Sequence, residues 1–596
     1  MQATRRARPG RRTTRGLTVA AIVIALVGCA PSDDRTRLPD STGLPPPSIP
    51  ALPTSTVIPF RAAAYPADGA APCDEEAAPD AAHGPYVGNL KRIRAEEPLA
   101  VIFDLCRPDV AFRARLAHPS FGISDSGWLA SQLGSADDPP PILSVMNGTG
   151  PYRFEVWNRG ADLSFVRDPT SWSATAKAER LIFTWQASPA DRMAALRDGS
   201  VDGIDGLTAD DITAAIDLGG IVVATRPGLD TLYLGMNDRY APYDSELVRR
   251  AIAIGLDRAD IVETQFLPGT RTPSHMTSCA IEFGCAGSAW LQYDPLRAKE
   301  LLVEAGYPDG LSTTLRYPAE PRDYLPDPAG TAALIRAQLL VLGIDATLEA
   351  VPSGALIADA EAGLLDGLHL LGVRPRIADV SAVLEPRFGS GASDEFGDQH
   401  ADIVAALEAG AATVDAAARE EAYGRVNASL RVLAPAVPIA QPASAAGFLA
   451  DVTDAVASPT GMEWFAAMTP GDRRQLVWLQ ASEPASLFCA DETDTDTLRA
   501  CAQVIESLYG YAIGGAVVEP RLATACEPDE ALITWTCDLR PDVRFHDGSS
   551  LDATDVLDSL ALQWDAEHPL HRGRTSAFET FVRLFGGHLN PPASGG

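Results

Sequence analysis

The sequence predicts a mixed α/β fold with more than one lobe. Short apolar runs typical of strands (LAVIFDL, YRFEVW and ERLIFTW) alternate with helical stretches such as DRMAALRDG, ELVRRAIAIGL and PLRAKELLVEAG. This alternation of strand and helix indicates the α/β or α+β class. A chain of 596 residues is also too long for one hydrophobic core. The 46% hydrophobic content, with 7% aromatic residues, is that of a globular protein and not of a membrane bundle.

The charge balance argues against a nucleic-acid partner. The formal net charge is -31 at pH 7, and six of the positive charges are arginines within the first fifteen residues. The rest of the chain is therefore more acidic still, with no basic face to displace counterions from a phosphate backbone. Strong like charge also favours a monomer, because copies of the chain repel each other.

The N-terminus has the pattern of an export signal. An arginine-rich stretch precedes the apolar run Leu17–Gly28, which is too short to span a bilayer comfortably. The run ends in Leu26-Val27-Gly28-Cys29, which resembles the lipobox of bacterial lipoproteins. The resemblance implies that residues 1–28 are a signal peptide and that lipidated Cys29 anchors the chain to the outer face of the cytoplasmic membrane. The alternative is a plain secretory signal with an incidental cysteine. Residues 29–84 are rich in proline and alanine and predict a largely disordered tether.

Eight cysteines follow Cys29, an even number in a chain expected in an oxidising compartment. Spacing alone does not determine their connectivity, but local pairs are favoured. The candidate pairs are Cys73 with Cys106, Cys279 with Cys285, Cys489 with Cys501, and Cys526 with Cys537. The last pair flanks a probable hairpin. A metal site is the competing use of these residues, yet the chain has no CxxC pair, so disulfides are the favoured interpretation.

The stretch LRPDVRFHDGSSLDATDV, from Leu539 to Val556, predicts a strand, a tight turn and the start of a helix. Asp547-Gly548 is a turn pair. Asp552 can cap the helix, and Asp555 stands three residues later, as in a capping box.

Several segments in order along the chain resemble the peptide/nickel class of extracellular solute-binding proteins, which serve ABC importers. They are GTGPYRF (Gly148–Phe154), LSFVRDPTSW (Leu163–Trp172), DRMAALRDGSVDGID (Asp191–Asp205), LYLGMND with ELVRRAIAIGLDRADIV (Leu232–Asp238 and Glu246–Val262), and YDPLRAKELLVEAGYPDG (Tyr293–Gly310). The resemblance implies the two-lobed periplasmic-binding-protein fold of the large peptide-binding type. In that fold the ligand lies in a cleft between lobes that close about a hinge.

The order of the segments differs from that of the family. Residues 85–473 resemble the family's middle and C-terminal parts, whereas residues 474–596 resemble its N-terminal part. The stretch that opens with Leu539 belongs to this last part, although the family has it early in the chain. We therefore predict a circular permutation in which residues 474–596 complete lobe I of one domain. A tandem pair of incomplete copies would duplicate some segments, and none is duplicated.

The resemblance also indicates candidate ligand-binding residues. In the family's peptide binders, a segment written GWxaDYpdPxnFL supplies an aspartate that pairs with the ligand's amine. The matching segment here is GVRPRIADVSAVL (Gly372–Leu384), with Arg376 at the amine-binding position and Asp379 at the second acid. An arginine would repel an ammonium group and favour a carboxylate or phosphate. Alternatively, Arg376 faces solvent or pairs with a local acid such as Asp379. Asn237 and Tyr509 are further candidates for the cleft, each with a purely structural role as the alternative.

No catalytic pattern is visible: the chain has no GxSxG, HExxH or Walker sequence, so we expect no enzyme, and no cofactor is indicated. We also expect no metal site. DETDTD (Asp491–Asp496) lacks the glycine and glutamate of a calcium loop and fits a helix N-cap better. The group His546, His568, His571 and His588 has no firm helix to align it.

The predicted function is a lipoprotein that binds a peptide or other small polar solute and delivers it to an ABC permease, without a chemical step. The alternative is a ligand-sensing or assembly lipoprotein on the same fold. A hydrolase on an unrelated fold would need a nucleophile and a base that the sequence does not show.

Overall fold

Three large β-sheets and one two-stranded sheet organise the structure, a computed structural model that describes residues 60–73 and 85–592. Lobe I contains a five-stranded sheet and a seven-stranded sheet, and lobe II contains a second five-stranded sheet. The strands in chain order are β1 (Ala63–Tyr65), β2 (Leu90–Glu97), β3 (Ala100–Leu105), β4 (Tyr152–Asn158), β5 (Asp162–Arg167), β6 (Arg180–Trp185), β7 (Gly203–Ile204), β8 (Ile221–Arg226), β9 (Thr231–Gly235), β10 (Leu311–Pro318), β11 (Ile344–Val351), β12 (Leu368–Val373), β13 (Ala436–Ala440), β14 (Ser444–Leu449), β15 (Gln475–Gln480), β16 (Tyr509–Tyr511), β17 (Val518–Pro520), β18 (Ala523–Pro528) and β19 (Thr534–Leu539).

Helices cover the faces of these sheets. They are α1 (Phe112–Leu116), α2 (Ser126–Leu133), α3 (Pro189–Asp198), α4 (Ala209–Leu218), α5 (Glu246–Gly255), α6 (Arg258–Gln265), α7 (Pro295–Glu304), α8 (Pro328–Leu342), α9 (Ser353–Glu361), α10 (Ser381–Phe388), α11 (Ala401–Ala411), α12 (Ala416–Leu433), α13 (Thr495–Cys501), α14 (Ala553–Trp564) and α15 (Glu579–Phe585). Across the described ranges, no helix is long and apolar enough to cross a membrane. The predicted mixed α/β fold with two lobes is confirmed.

The sheet orders show how the chain builds each lobe. The five-stranded sheet of lobe I has the order β1-β2-β3-β19-β18, and the seven-stranded sheet has the order β4-β5-β6-β15-β7-β14-β8. The sheet of lobe II has the order β11-β10-β12-β9-β13. Strand β15 therefore lies inside the seven-stranded sheet, parallel to both β6 and β7. Residues that follow position 473 thus supply a central strand of lobe I.

Two short segments connect the lobes. Residues 227–230 link β8 to β9, and residues 441–443 link β13 to β14. They pass close together at Gly228, where an added Cβ would lie 2.2 Å from the Pro442 carbonyl oxygen. A glycine is required there because the two backbones leave no room for a side chain.

The tether prediction for residues 29–84 is wrong for residues 60–73. Strand β1 pairs antiparallel with β2 and extends the sheet of lobe I. Phe60 and Tyr65 pack against the core of that lobe, and the Tyr65 hydroxyl donates a hydrogen bond to Asp565. A composition rich in alanine and proline suggested a spacer, but two aromatic side chains are enough to dock this segment. Residues 1–59, with the signal peptide and Cys29, and residues 74–84 lie outside the described residues.

The four cysteine pairings favoured by the sequence are confirmed. The disulfides join Cys73 to Cys106, Cys279 to Cys285, Cys489 to Cys501, and Cys526 to Cys537. Cys526 and Cys537 are direct partners in the β18–β19 hairpin.

The stretch from Leu539 to Val556 is partly as predicted. Asp552 and Asp555 form the capping box at the start of α14. The strand predicted before the turn is only an isolated bridge between Arg544 and Ser550. The DETDTD segment is likewise a helix start, because Asp494 accepts a hydrogen bond from the Thr497 amide at the beginning of α13.

A close backbone contact fastens residues 474–592 to the rest of lobe I. The Gly150 amide donates to the Val504 carbonyl at 2.9 Å. A Cβ on Gly148 would lie 2.0 Å from the Val504 carbonyl oxygen. The glycines of GTGPY are therefore needed because two chain segments touch backbone to backbone.

Glu506 reinforces this contact. One of its carboxylate oxygens accepts hydrogen bonds from Trp172 Nε1 at 2.8 Å and from Thr149 Oγ1 at 2.9 Å. The side chain is buried, and burial raises the pKa of Glu506 to about 7. Three separated segments are thus joined at one carboxyl group.

Glu506→Gln should change how stability depends on pH. The folded wild type holds the Glu506 proton more tightly than the unfolded chain, so this group's contribution is complete below about pH 4.5 and is lost as pH rises through 7. Glutamine keeps an acceptor oxygen but does not titrate. We expect the variant to be more stable than wild type at pH 8, by about 2 kcal/mol, and nearly equal at pH 4.5. Urea unfolding at both pH values measures the difference. Glu263→Gln, at an exposed position of α6, is the control. If the stability of Glu506→Gln and that of wild type depend on pH in the same way, the pKa of Glu506 is not raised in the folded protein.

Candidate functional site

A cavity with a volume of about 920 Å³ lies between the lobes. Both connecting segments line it, through residues 227–230 and Pro442 and Ala443. The loop that follows β12 forms part of the lobe II wall, and residues 459–462 form part of the lobe I wall. A cavity at the junction of two lobes, bordered by the segments that connect them, is the expected place for a ligand that both lobes contact.

The cavity wall carries more positive than negative groups, although the whole chain has a net charge of -31. The arginines that line it are Arg226, Arg322, Arg374, Arg376, Arg499 and Arg583. The carboxylates that line it are Asp205, Asp230 and Asp323. This local reversal of sign creates a site that attracts anions within an acidic protein.

Four of the charged groups on the lobe I side form a buried network. Arg226 contacts Asp205 and Glu463, each at 2.7 Å. Arg499 contacts Glu463 at 2.7 Å and also pairs with Asp205. Burial opposes ionisation of Asp205, but the Arg499 and Arg226 guanidinium groups hold the pKa of its carboxyl below the ordinary value. The two arginines are thus neutralised by their own partners, and the network acts as a rigid wall.

On the lobe II side, the two arginines of the loop after β12 differ. Arg374 is paired with Asp230 at 3.1 Å and with Asp323. Arg376 lines the cavity, is exposed, and makes no hydrogen bond or ion pair with any other described residue. Its guanidinium group is therefore available to a ligand, with five N–H donors in a planar arrangement.

Asp379 does not lie on the cavity wall, and it does not pair with Arg376. Its carboxylate is buried and accepts from Arg419 Nη2 at 3.0 and 3.1 Å. It also accepts from the Ser381 amide at the start of α10. Arg419 comes from α12, so Asp379 ties the loop after β12 to a distant helix. Its role is to hold the loop in place.

Asn237 also lies away from the cavity. Its side chain is fully buried, and its amide donates to the Asp394 carbonyl at 3.0 Å. Its carbonyl oxygen accepts from the Arg239 amide at 3.0 Å. The second bond folds the turn after β9, and the first ties that turn to the loop after α10. The structure therefore does not place Asn237 on the cavity wall, because two backbone groups hold its side chain elsewhere.

Tyr509 lies on the wall of a second, smaller cavity that adjoins the first. The two cavities share Pro119, Met462 and Tyr511 as wall residues. The structure therefore brings Tyr509 near the cleft but leaves it outside the main cavity. Of the four predicted contacts, Arg376 alone lines the large cavity.

Sequence reasoning missed Asp205, Arg226 and Arg499. Asp205 ends a segment that carried the resemblance, yet an acid after a short strand gives no sign of its partners. Those partners are 21 and 294 residues away. The arginine-rich wall becomes visible only when the segments are assembled.

Potential metal ligands among the described residues are engaged elsewhere. His275, Cys279 and Cys285 offer ligand atoms within 4.8 Å of one another, but the two cysteines form a disulfide. His571 contacts the carbonyl oxygens of Leu562 and Ser576. His546 and His588 contact other backbone carbonyls.

Comparisons with known proteins agree with this architecture. The sequence model of the bacterial extracellular solute-binding proteins, family 5 middle, matches residues 65–394 and 517–582. Heme-binding protein A of Haemophilus influenzae is 24% identical over 380 residues, which are 63% of this chain and 69% of that protein. Glutathione-binding protein GsiB of Escherichia coli is 26% identical over 278 residues, 46% of this chain and 51% of that protein. The chain thus spans about half the length of GsiB.

A solved structure shows the same fold. HbpA2 from Haemophilus parasuis superimposes with a TM-score of 0.60 and 23% sequence identity, covering 64% of this chain and 76% of that chain. Members of the matched family bind solutes and are not enzymes. Because the family match extends over more than half of the chain, the protein belongs to the bacterial extracellular solute-binding proteins of family 5.

Proposed function

We propose that the protein is the membrane-anchored substrate-binding lipoprotein of an ABC importer and captures a small anionic solute in the interlobe cavity. The observation that carries the proposal is the guanidinium group of Arg376, which lies on the cavity wall and has no hydrogen-bond or ion-pair partner among the described residues. The similar proteins named above bind heme or glutathione, and both ligands carry carboxylates.

The chemistry of Arg376 favours a carboxylate or phosphate over an amine. A planar guanidinium group can donate two parallel hydrogen bonds to either anion, whereas it repels an ammonium group. Arg374 beside it is already paired with two aspartates, so it does not compete for the ligand. A peptide bound here would be held by its carboxylate.

Binding would be coupled to closure of the lobes. Arg376 belongs to lobe II, whereas Arg226 and Arg499 belong to the opposite wall, so a ligand between them stabilises the closed arrangement. The connecting segments at Gly228 and Pro442 are where the backbone would bend. A ligand shifts this equilibrium only by its preference for the closed form, and no chemical step is needed.

Arg376→Ala should abolish tight binding of the ligand. A thermal-shift screen of residues 60–592 against peptides, anionic small molecules and nickel would find hits among the anions. We expect the variant to bind those hits roughly 10- to 100-fold more weakly, the cost of losing charged hydrogen bonds. Arg336→Ala, at a half-exposed arginine of α8, is the matched control. If Arg376→Ala binds a hit as tightly as wild type does, Arg376 does not hold the ligand. No hit in any class would favour a sensor or assembly role.

The lipid anchor is tested separately. Cys29→Ser should release the protein into the aqueous phase when cells are extracted with a phase-separating detergent, because a serine cannot be lipidated at this position. Wild type should stay with the membrane fraction. Equal partitioning of the two proteins would show that Cys29 is not the anchor.

We also propose that the chain is a circular permutation of the family's order. Three contacts support it. The Asn89 amide donates to the Phe585 carbonyl at 2.6 Å, so the end of residues 474–592 meets the beginning of residues 85–473. Asn590 and Tyr65 both donate to the Asp565 carboxylate, so the two described ends of the chain are neighbours. The family match is itself split into two stretches.

Restoring the family's order should leave the fold intact. The rearranged protein would start at Asp472, run to residue 592, and continue through a flexible linker of about ten residues into residues 60–471. Asp472 is exposed in a turn, so new termini there should disturb little. We expect a midpoint of thermal unfolding within about 5 °C of the original and unchanged ligand binding. A rearranged protein without a cooperative transition would contradict the permutation.

A further inference from the structure

A second cavity beside the cleft has the character of a pocket for an apolar side chain. Its volume is about 80 Å³. Its wall is largely aromatic and aliphatic, with Ile505, Tyr509, Tyr511, Trp464, Ala512 and Ile513 among its residues, and it also includes the charged residues Glu506 and Arg521. A cavity of this size and character suits a group such as a leucine or valine side chain.

Exposed aliphatic residues lie on or near this small pocket. Ile513, on its wall, is 52% exposed, and Val517 and Val456, outside the wall, are 47% and 40% exposed. They lie near one another, since a Cβ on Gly514 would be 2.2 Å from the Val456 side chain. Single exposed aliphatic residues are common, but several around one cavity mark a surface that loses water when a ligand binds.

The loop after β12, which belongs to lobe II, contacts lobe I beside the small pocket. Ile377 is only 3% exposed and packs into the lobe I core that contains Tyr509. The backbone of Ala378 hydrogen-bonds the Tyr511 hydroxyl. Tyr511 is a wall residue of both cavities. Arg376, one residue before Ile377, is therefore held close to the mouth of the small pocket.

We propose that the small pocket binds an apolar side chain of the same ligand whose anionic group contacts Arg376. The inference rests on the proposed function and narrows its substrate class to anions that carry an aliphatic group next to the charge. Two neighbouring cavities that share three wall residues can be filled by one molecule. Arg376 selects the charge, and the small pocket selects the side chain.

The test compares two acetylated dipeptides that differ in one side chain. Isothermal titration with residues 60–592 would measure binding of N-acetyl-Ala-Leu and N-acetyl-Ala-Ala, which share the carboxylate and lack an amine. We expect N-acetyl-Ala-Leu to bind at least about 10-fold more tightly, because a hydrophobic pocket distinguishes ligands by the area buried. Binding of both dipeptides with equal affinity would contradict the proposed role of the small pocket but would be consistent with the proposed function. Binding of neither would overturn the proposed function and the pocket together.

Variants of the small pocket test whether it causes the preference for N-acetyl-Ala-Leu over N-acetyl-Ala-Ala. Ala512→Leu fills the pocket, so it should reduce the affinity ratio to about 1 while N-acetyl-Ala-Ala binds as before. Ile513→Ser removes an apolar wall and should lower the ratio without changing the thermal midpoint. Leu340→Ser, at a similarly exposed residue of α8, should leave the ratio unchanged. If Ala512→Leu still binds N-acetyl-Ala-Leu more tightly than N-acetyl-Ala-Ala by the wild-type ratio, the leucine side chain of the ligand binds outside the small pocket.

Discussion

The contact between two backbone segments of lobe I is the constraint on which the rest of the structure depends. Gly148 and Gly150 allow the chain to run directly against residues 503–505, and Glu506 joins Thr149 and Trp172 at the same point. In the same part of the chain, β15 pairs in parallel with β6 and β7 at the centre of the seven-stranded sheet. Arg226 ends β8 of that sheet, and Arg499 lies in α13, shortly before residues 503–505. Arg499 thus belongs to the chain segment that this contact fastens to the rest of lobe I.

The site itself illustrates how charge is used at two levels. The chain as a whole is strongly acidic, with a formal net charge of -31 at pH 7. Within the cleft, the balance is reversed by arginines, most of which are neutralised by partners such as Asp205 or Asp230. Buried charges of this kind must be paired, because an isolated guanidinium group would lose too much hydration. Arg376, which has no partner within residues 60–73 and 85–592, is tolerated because it remains exposed, and that exposure makes it available to a ligand.

In the proposed function, ligand recognition and lobe closure share the loop after β12. Asp379 fixes the loop to α12 through Arg419, and Ile377 and Ala378 contact lobe I. Arg376 directly precedes these attached residues. A ligand that engages Arg376 and the small pocket would therefore contact the loop and lobe I at once. Specificity for a charge and for a side chain would follow from one closed arrangement.

Local features were determined by the sequence alone. The capping box of Asp552 and Asp555, the strand and helix alternation, and the Cys526–Cys537 hairpin all depend on neighbours in the chain, where spacing restricts the geometry. The motif resemblance likewise led to the family and to Arg376.

The tertiary structure decided the rest. Asp379 pairs with Arg419 and not with Arg376, which is nearer in sequence. Asn237 binds the backbone of a distant loop at Asp394, and β1 belongs to a sheet and not to a tether. The Asp205, Arg226, Glu463 and Arg499 network comes from segments hundreds of residues apart. Pairing of buried charges depends on distance and dielectric surroundings, and only the folded chain supplies both.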